Sequence, residues 1–218
     1  MMSKGTFTFP LSLSPSPDLA GSIGGNFMTN RKTQIERLTV GAIFTALVVI
    51  LQLLGSFIRF GPFSISLVLV PIVLGAALGG FKMGGWLGFV FGVTVLISGD
   101  ALAFLAVSVP GTIITVLLKG TLCGAVAGLV YKLLENKNRY LSVITAAIIC
   151  PVVNTGVFLL GCKVFFMDTI TEWGAALGFP NVAAYMFLGL AGGNFLFELA
   201  ANIILAPIVL RIINIFKK

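Results

Sequence analysis

Six apolar stretches, each close to the thickness of a bilayer when helical, leave this chain few folds to choose from. They cover residues 38–58, 64–80, 84–98, 111–134, 141–166 and 188–213. Crossing a hydrocarbon core takes roughly 20 residues of helix. The second and third stretches are the shortest. Pro71 interrupts the second, and a tight turn around Lys82 joins the two. Pro151 and Pro207 interrupt the fifth and sixth. Hydrophobic residues make up 58% of the 218 and charged residues 10%, against roughly 25% charged in a soluble domain. A mean hydropathy of +1.09 agrees. The expected fold class is all-α: a polytopic membrane protein, a compact bundle of six transmembrane helices.

Residues 1–33 read as a Ser/Pro/Gly-rich, aperiodic leader, and residues 34–218 as the six-helix membrane domain. The leader lacks a basic segment followed by an unbroken apolar core, so it is a poor signal peptide. Its composition predicts disorder. Met28, just before Thr-Asn-Arg-Lys and the first span, is the expected natural start. N-terminal sequencing of protein expressed from its own locus checks this.

Six spans put both termini on one side. Eleven basic residues fall on that side, from Lys4 and Arg31 through Lys82, Lys132 and Arg139 to Lys218, and only Arg59 and Lys163 on the other. The positive-inside rule places the termini in the cytoplasm. The formal charge of +7 is therefore explained by topology and anionic lipid; it does not suggest nucleic acid. The outer connection from Asp168 to Tyr185 is long and is expected to hold a short interfacial helix.

The chain has no histidine, which removes imidazole catalysis and the commonest metal ligand. Cys123, Cys150 and Cys162 form no CxxC pair and read as small apolar filler. No catalytic residue, metal site or cofactor is expected. Gly84, Gly88 and Gly92 form one ladder at four-residue spacing, and Gly120, Gly124 and Gly128 another. Such ladders let helix backbones approach closely in lipid, here within the bundle. No internal repeat is visible, so the inverted-repeat plan of many secondary transporters is unsupported.

Charge inside these spans is the best pointer to function. Glu198 lies mid-way along the sixth and Lys119 within the fourth. An ionisable side chain at membrane depth is costly and is kept when it faces a bundle interior or a watery cavity. Lys119 lies about 12–14 Å in from the outer face and Glu198 about 15 Å. Asn194, Glu198 and Asn202 share one helical face at i, i+4, i+8. Asn154 falls midway along the fifth span, just after Pro151. Lys119, Asn154, Asn194 and Glu198 can thus converge in the outer half of the bundle around a polar ligand. The alternative is a buried Lys119–Glu198 ion pair that only fixes packing, at a large desolvation cost and little net gain. Asp100 and Arg59 read as ordinary loop charges. Phe60, Phe63 and the Gly61-Pro62 turn could form a lid. In the first span, Ala42-Ile-Phe-Thr-Ala46 is a small-residue step that serves equally for packing within the bundle or for the entry of a partner helix.

Taken in order, Ala42-x-x-x-Ala46, Pro71-Ile-Val-Leu-Gly75, Lys119-Gly-Thr-Leu-Cys-Gly-Ala-Val-Ala-Gly128 and Pro151-Val-Val-Asn-Thr-Gly156 resemble the substrate-binding S-component of energy-coupling factor (ECF) vitamin transporters. The resemblance covers about residues 37–218; the leader lies outside it. It implies a multi-pass protein of the prokaryotic plasma membrane that captures a water-soluble vitamin or precursor from outside. It implies a transmembrane scaffold subunit docked on Ala42 and Ala46, two cytoplasmic ATPase subunits, and a toppling motion that releases ligand inside. The chain carries no G-x-x-x-x-G-K-[ST] motif of its own. By the same resemblance, Lys119, Asn154, Asn194 and Glu198 hold the ligand. One cation and one anion suit a carboxylate or zwitterion such as pantothenate; riboflavin, folate and a pyridoxine-like compound stay open.

Two other classes compete. A stand-alone secondary transporter or channel for a small polar solute would need a coupling-ion site or a pore. One buried acid, no histidine and no repeat argue against it. A membrane enzyme would need a nucleophile–base pair or a metal, and Lys119 has only Thr115 one turn before it.

Overall fold

The computed structural model describes residues 17–57, 59–60, 63–64 and 67–216. The chain divides into two compact units, Met1–Thr39 and Val40–Lys218, and the cavity described below lies in the second. Helix α1 (Pro17–Phe57) is followed by two paired residues on each side of a turn, β1 (Arg59–Phe60) and β2 (Phe63–Ser64). Then come α2 (Leu69–Ser98), α3 (Leu102–Leu105), α4 (Val109–Glu135), α5 (Arg139–Phe165), α6 (Met167–Ala176) and α7 (Val182–Ala184). A π-helical segment (Tyr185–Gly192) leads directly into α8 (Gly193–Phe216). The trace of α1 takes in residues 17–33 of the expected leader, and residues 1–16 lie outside the described residues.

Among the described residues, five helices are long and apolar enough to cross a membrane, the first as Leu38–Phe57. One of them, α2, is a hairpin, so the apolar helical arms among the described residues number six. Gly80, at φ 75° and ψ −169°, breaks it. In an unbroken helix residues 75 and 87 would lie about 18 Å apart; here a Cβ on Gly75 would strike the Leu87 side chain. The chain therefore folds back at Gly80, in a backbone conformation that glycine alone reaches at no steric cost. The second and third expected spans are these two arms, and the first arm's helix begins at Leu69 rather than at residue 64. The all-α membrane bundle stands, with β1 and β2 pairing Arg59 to Ser64 and Phe60 to Phe63 as its one short strand pair among the described residues.

The two glycine ladders meet each other. A Cβ on Gly84 or Gly88 would collide with the backbone of Gly124 or Gly120, and the reverse holds as well. On Gly92 it would lie 2.9 Å from the Val116 carbonyl oxygen, and on Gly128 2.8 Å from Phe81 Cα. The second arm of α2 and α4 are therefore in backbone contact along three turns, an arrangement available only to residues without side chains. Leu87, Phe91, Val116, Cys123, Ala127 and Tyr131 fill the core around this seam.

Local signals start the other helices. The Ser108 side chain accepts a hydrogen bond from Gly111 N at the head of α4, with Pro110 in the first turn. The Asn138 side chain accepts from Tyr140 N and Leu141 N at the head of α5, and Asn181 from Ala184 N at α7. Each satisfies backbone donors that a helix start leaves unpaired. Pro151 and Pro207 sit inside α5 and α8 without ending them. On the outer side, α6 occupies the connection where a short helix was expected. Ile170 of α6 is buried with Phe166, Tyr185 and Met186, and Phe104 and Trp173 pack on that cluster.

Candidate functional site

A cavity of about 180 Å³ lies between α1, α2, α4, α5 and the α8 entry. It sits at the end of the bundle opposite the Gly80 turn, which is the outer half by the distribution of basic residues. Lys119, Asn154, Asn194 and Glu198 all line it. The four residues that the sequence singled out from three different spans are thus brought to one place.

Glu198 is the centre of the polar group and only 2% exposed. Asn154 of α5 donates from Nδ2 to its Oε2 at 3.3 Å, and Asn194, one turn earlier on α8, donates from Nδ2 to its Oε1 at 3.2 Å. Pro151 lies one turn before Asn154, on the same face of α5. The eight-residue π-helical segment ends two residues before Asn194 and carries Leu190 and Ala191 into the cavity wall. π-Helical turns are rare and gather at functional sites. Asn202, on the same face, stays out of the cavity and donates to the backbone oxygen of Glu198 at 2.8 Å.

Lys119 does not pair with Glu198: among the described residues no ion pair within 4 Å joins them. Its Nζ lies 5.2 Å from the Phe158 ring centroid and 5.7 Å from that of Phe91, within range of cation–π attraction. The reading of a packing ion pair therefore loses its main support. A cation and an anion face one cavity from different walls, without a contact ion pair between them.

Sequence reasoning missed several lining residues. Asp100, taken as a loop charge, lines the cavity, and buried Gln52 of α1 donates to its Oδ2 at 2.7 Å. Thr115 also lines it, and Gly161 of α5 leaves room for its side chain. Phe91, Phe104 and Phe158 supply aromatic wall. A lone glutamine in an apolar helix was the one available signal for Gln52; a loop aspartate gives none. The suggested lid at residues 60–63 falls partly outside the described residues, which cover only the backbone pairing of β1 and β2 there.

Ala42 and Ala46 are exposed on α1. Phe44, Val48 and Gln52 form its inward face at four-residue spacing, and Ala42 and Ala46 point about 120° and about 160° away from the middle of that face round the helix.

A family model described as the substrate-specific component of ECF transporters matches residues 36–213. The chain belongs to that family. No curated protein and no solved structure matches it. As an ECF substrate-specific component it is the membrane substrate-binding subunit of a transporter, in a family of transport components and not of enzymes. Membership also implies association with an ECF scaffold and ATPase module, and its several apolar helices make it a multi-pass membrane protein.

Proposed function

We propose that this S-component captures a water-soluble vitamin or vitamin precursor from outside the cell in the cavity lined by Lys119, Asn154, Asn194 and Glu198. Two cytoplasmic ATPase subunits energise release inside, acting through a transmembrane scaffold docked on Ala42 and Ala46. The observation that carries the reading is the placement of Glu198. A carboxylate 2% exposed, with two amides turned to it beside a cavity, is an expensive arrangement at membrane depth. A ligand gives it a reason to be there. The exposed Ala42–Ala46 step supports the docking role, since it offers a helix partner a shallow notch between the exposed Leu38 and Ile50 side chains.

The test is mass spectrometry of small molecules released on denaturing the detergent-purified protein, followed by thermal stabilisation with the compound found. A stoichiometric compound that raises the melting temperature supports the reading. An empty protein that no water-soluble vitamin stabilises overturns it. Uptake by the protein alone in liposomes, driven by an ion gradient, would transfer the function to a stand-alone transporter.

A further inference from the structure

The polar groups of the cavity are not balanced between donors and acceptors, and the imbalance bears on what fits, provided the cavity is the capture site proposed above. A carboxylate only accepts hydrogen bonds. Glu198 therefore turns the NH₂ groups of both Asn154 and Asn194 towards itself, at 3.3 and 3.2 Å. Their carbonyl oxygens are left over. Asn154 Oδ1 and Asn194 Oδ1 are both buried without a hydrogen-bond partner, and so is Thr115 Oγ1 on the facing helix α4. Asn154 and Thr115 are 3% and 4% exposed. A buried polar atom left unpaired is costly unless something in the cavity meets it. The two amide oxygens can be satisfied only by donors.

Charge points the same way. The ionisable residues of the wall are Asp100, Glu198 and Lys119, two acids against one base. Lys119 is already turned to the Phe91 and Phe158 rings. An anionic ligand at the Glu198 end would place acceptors against a carboxylate and two amide oxygens, where every contact is repulsive. A protonated amine carries three N–H donors and a positive charge, one donor each for Glu198, Asn154 and Asn194. The size is modest: at about 10–15 Å³ for each water-sized probe, 180 Å³ holds on the order of a dozen non-hydrogen atoms.

We infer that the cavity recognises a small amine whose protonated nitrogen sits among Glu198, Asn154 and Asn194, with an acceptor group of the same ligand facing Lys119. A simple carboxylic acid such as pantothenate is the wrong polarity for this end. The ligand is a compound of roughly one ring, cationic or zwitterionic, with its ring or chain against Phe91 and Phe158.

Two matched pairs test this on the full-length purified protein by titration calorimetry: pyridoxamine against 4-pyridoxic acid, and 3-(aminomethyl)pyridine against nicotinic acid. Each pair differs mainly in an amine or a carboxylate on one ring. The amine of each pair is expected to bind at least tenfold more tightly than its acid. E198Q, which keeps the shape and removes the charge, is expected to weaken the amines at least tenfold while the protein stays monodisperse. Tighter binding of the acids, or amine affinity unchanged in E198Q, overturns the inference. The compound released from the natural protein is the second readout. A stoichiometric ligand without a basic nitrogen overturns the inference and leaves the capture function standing. No released compound and no binding by any probe overturns the capture function itself.

Discussion

Asn154 and Glu198 lie 44 residues apart on different helices and meet through a 3.3 Å hydrogen bond at the cavity wall. The bond ties α5 to α8 at a carboxylate that is only 2% exposed. It also fixes which way the asparagine amide faces, and so what it offers to the cavity.

Replacing Glu198 by alanine is expected to weaken binding of the captured compound at least tenfold, about 1.4 kcal/mol. The variant should remain folded and monodisperse, because the amides it frees face a cavity and can be hydrated. Titration of wild type and variant with the compound identified by mass spectrometry checks this. Equal affinities would assign Glu198 to packing.

Gly124→Ala should lower the melting temperature clearly. The added methyl meets the backbone of Gly84, and backbone cannot rotate away as a side chain can. Overpacking of this kind costs about 1–3 kcal/mol. Gly156→Ala is the control, since nothing lies within 4 Å of a Cβ there and its midpoint should stay level or rise. Thermal unfolding in detergent compares the two, and equal midpoints would contradict the close seam.

Ala46→Trp should abolish co-purification with the scaffold and ATPase subunits and leave ligand affinity unchanged. Ala46 is exposed and lies on the opposite side of α1 from Phe44, Val48 and Gln52. An intact complex carrying the tryptophan would remove this face from the docking surface.

Asn138→Ala should cost about 1 kcal/mol of stability, because its side chain accepts from Tyr140 N at 2.9 Å and Leu141 N at 3.3 Å. Ligand affinity should not change, as this cap lies at the far end of α5 from the cavity. Chemical or thermal unfolding measures the first part and titration the second.

The membrane architecture was legible because it rests on length and hydropathy, which are properties of single segments. The convergence of Lys119, Asn154, Asn194 and Glu198 was legible for a related reason: at membrane depth polar side chains are few, so matching their depths nearly determines their meeting. The glycine ladders announced close packing but not their partner, and the structure pairs them with each other. Gln52 and Asp100 escaped notice because their roles depend on one another across a loop. The π-helical segment escaped because a shift in hydrogen-bond register leaves no signature in composition. The supposed Lys119–Glu198 pair shows the limit of depth matching: two groups can reach one level and still face different neighbours.

The glycine seam between α2 and α4 has a consequence for how such a molecule can diversify. Backbone pressed on backbone makes any added side chain costly, so Phe91, Val116 and Lys119, which flank the seam, stand on a closely fixed pair of helices. Asn154, Asn194 and the π-helical residues stand on helices joined to it by side chains, where exchange is tolerated. If the cavity is the capture site, substitutions that change what it holds are expected in the wall built by α5 and α8 and not in the seam.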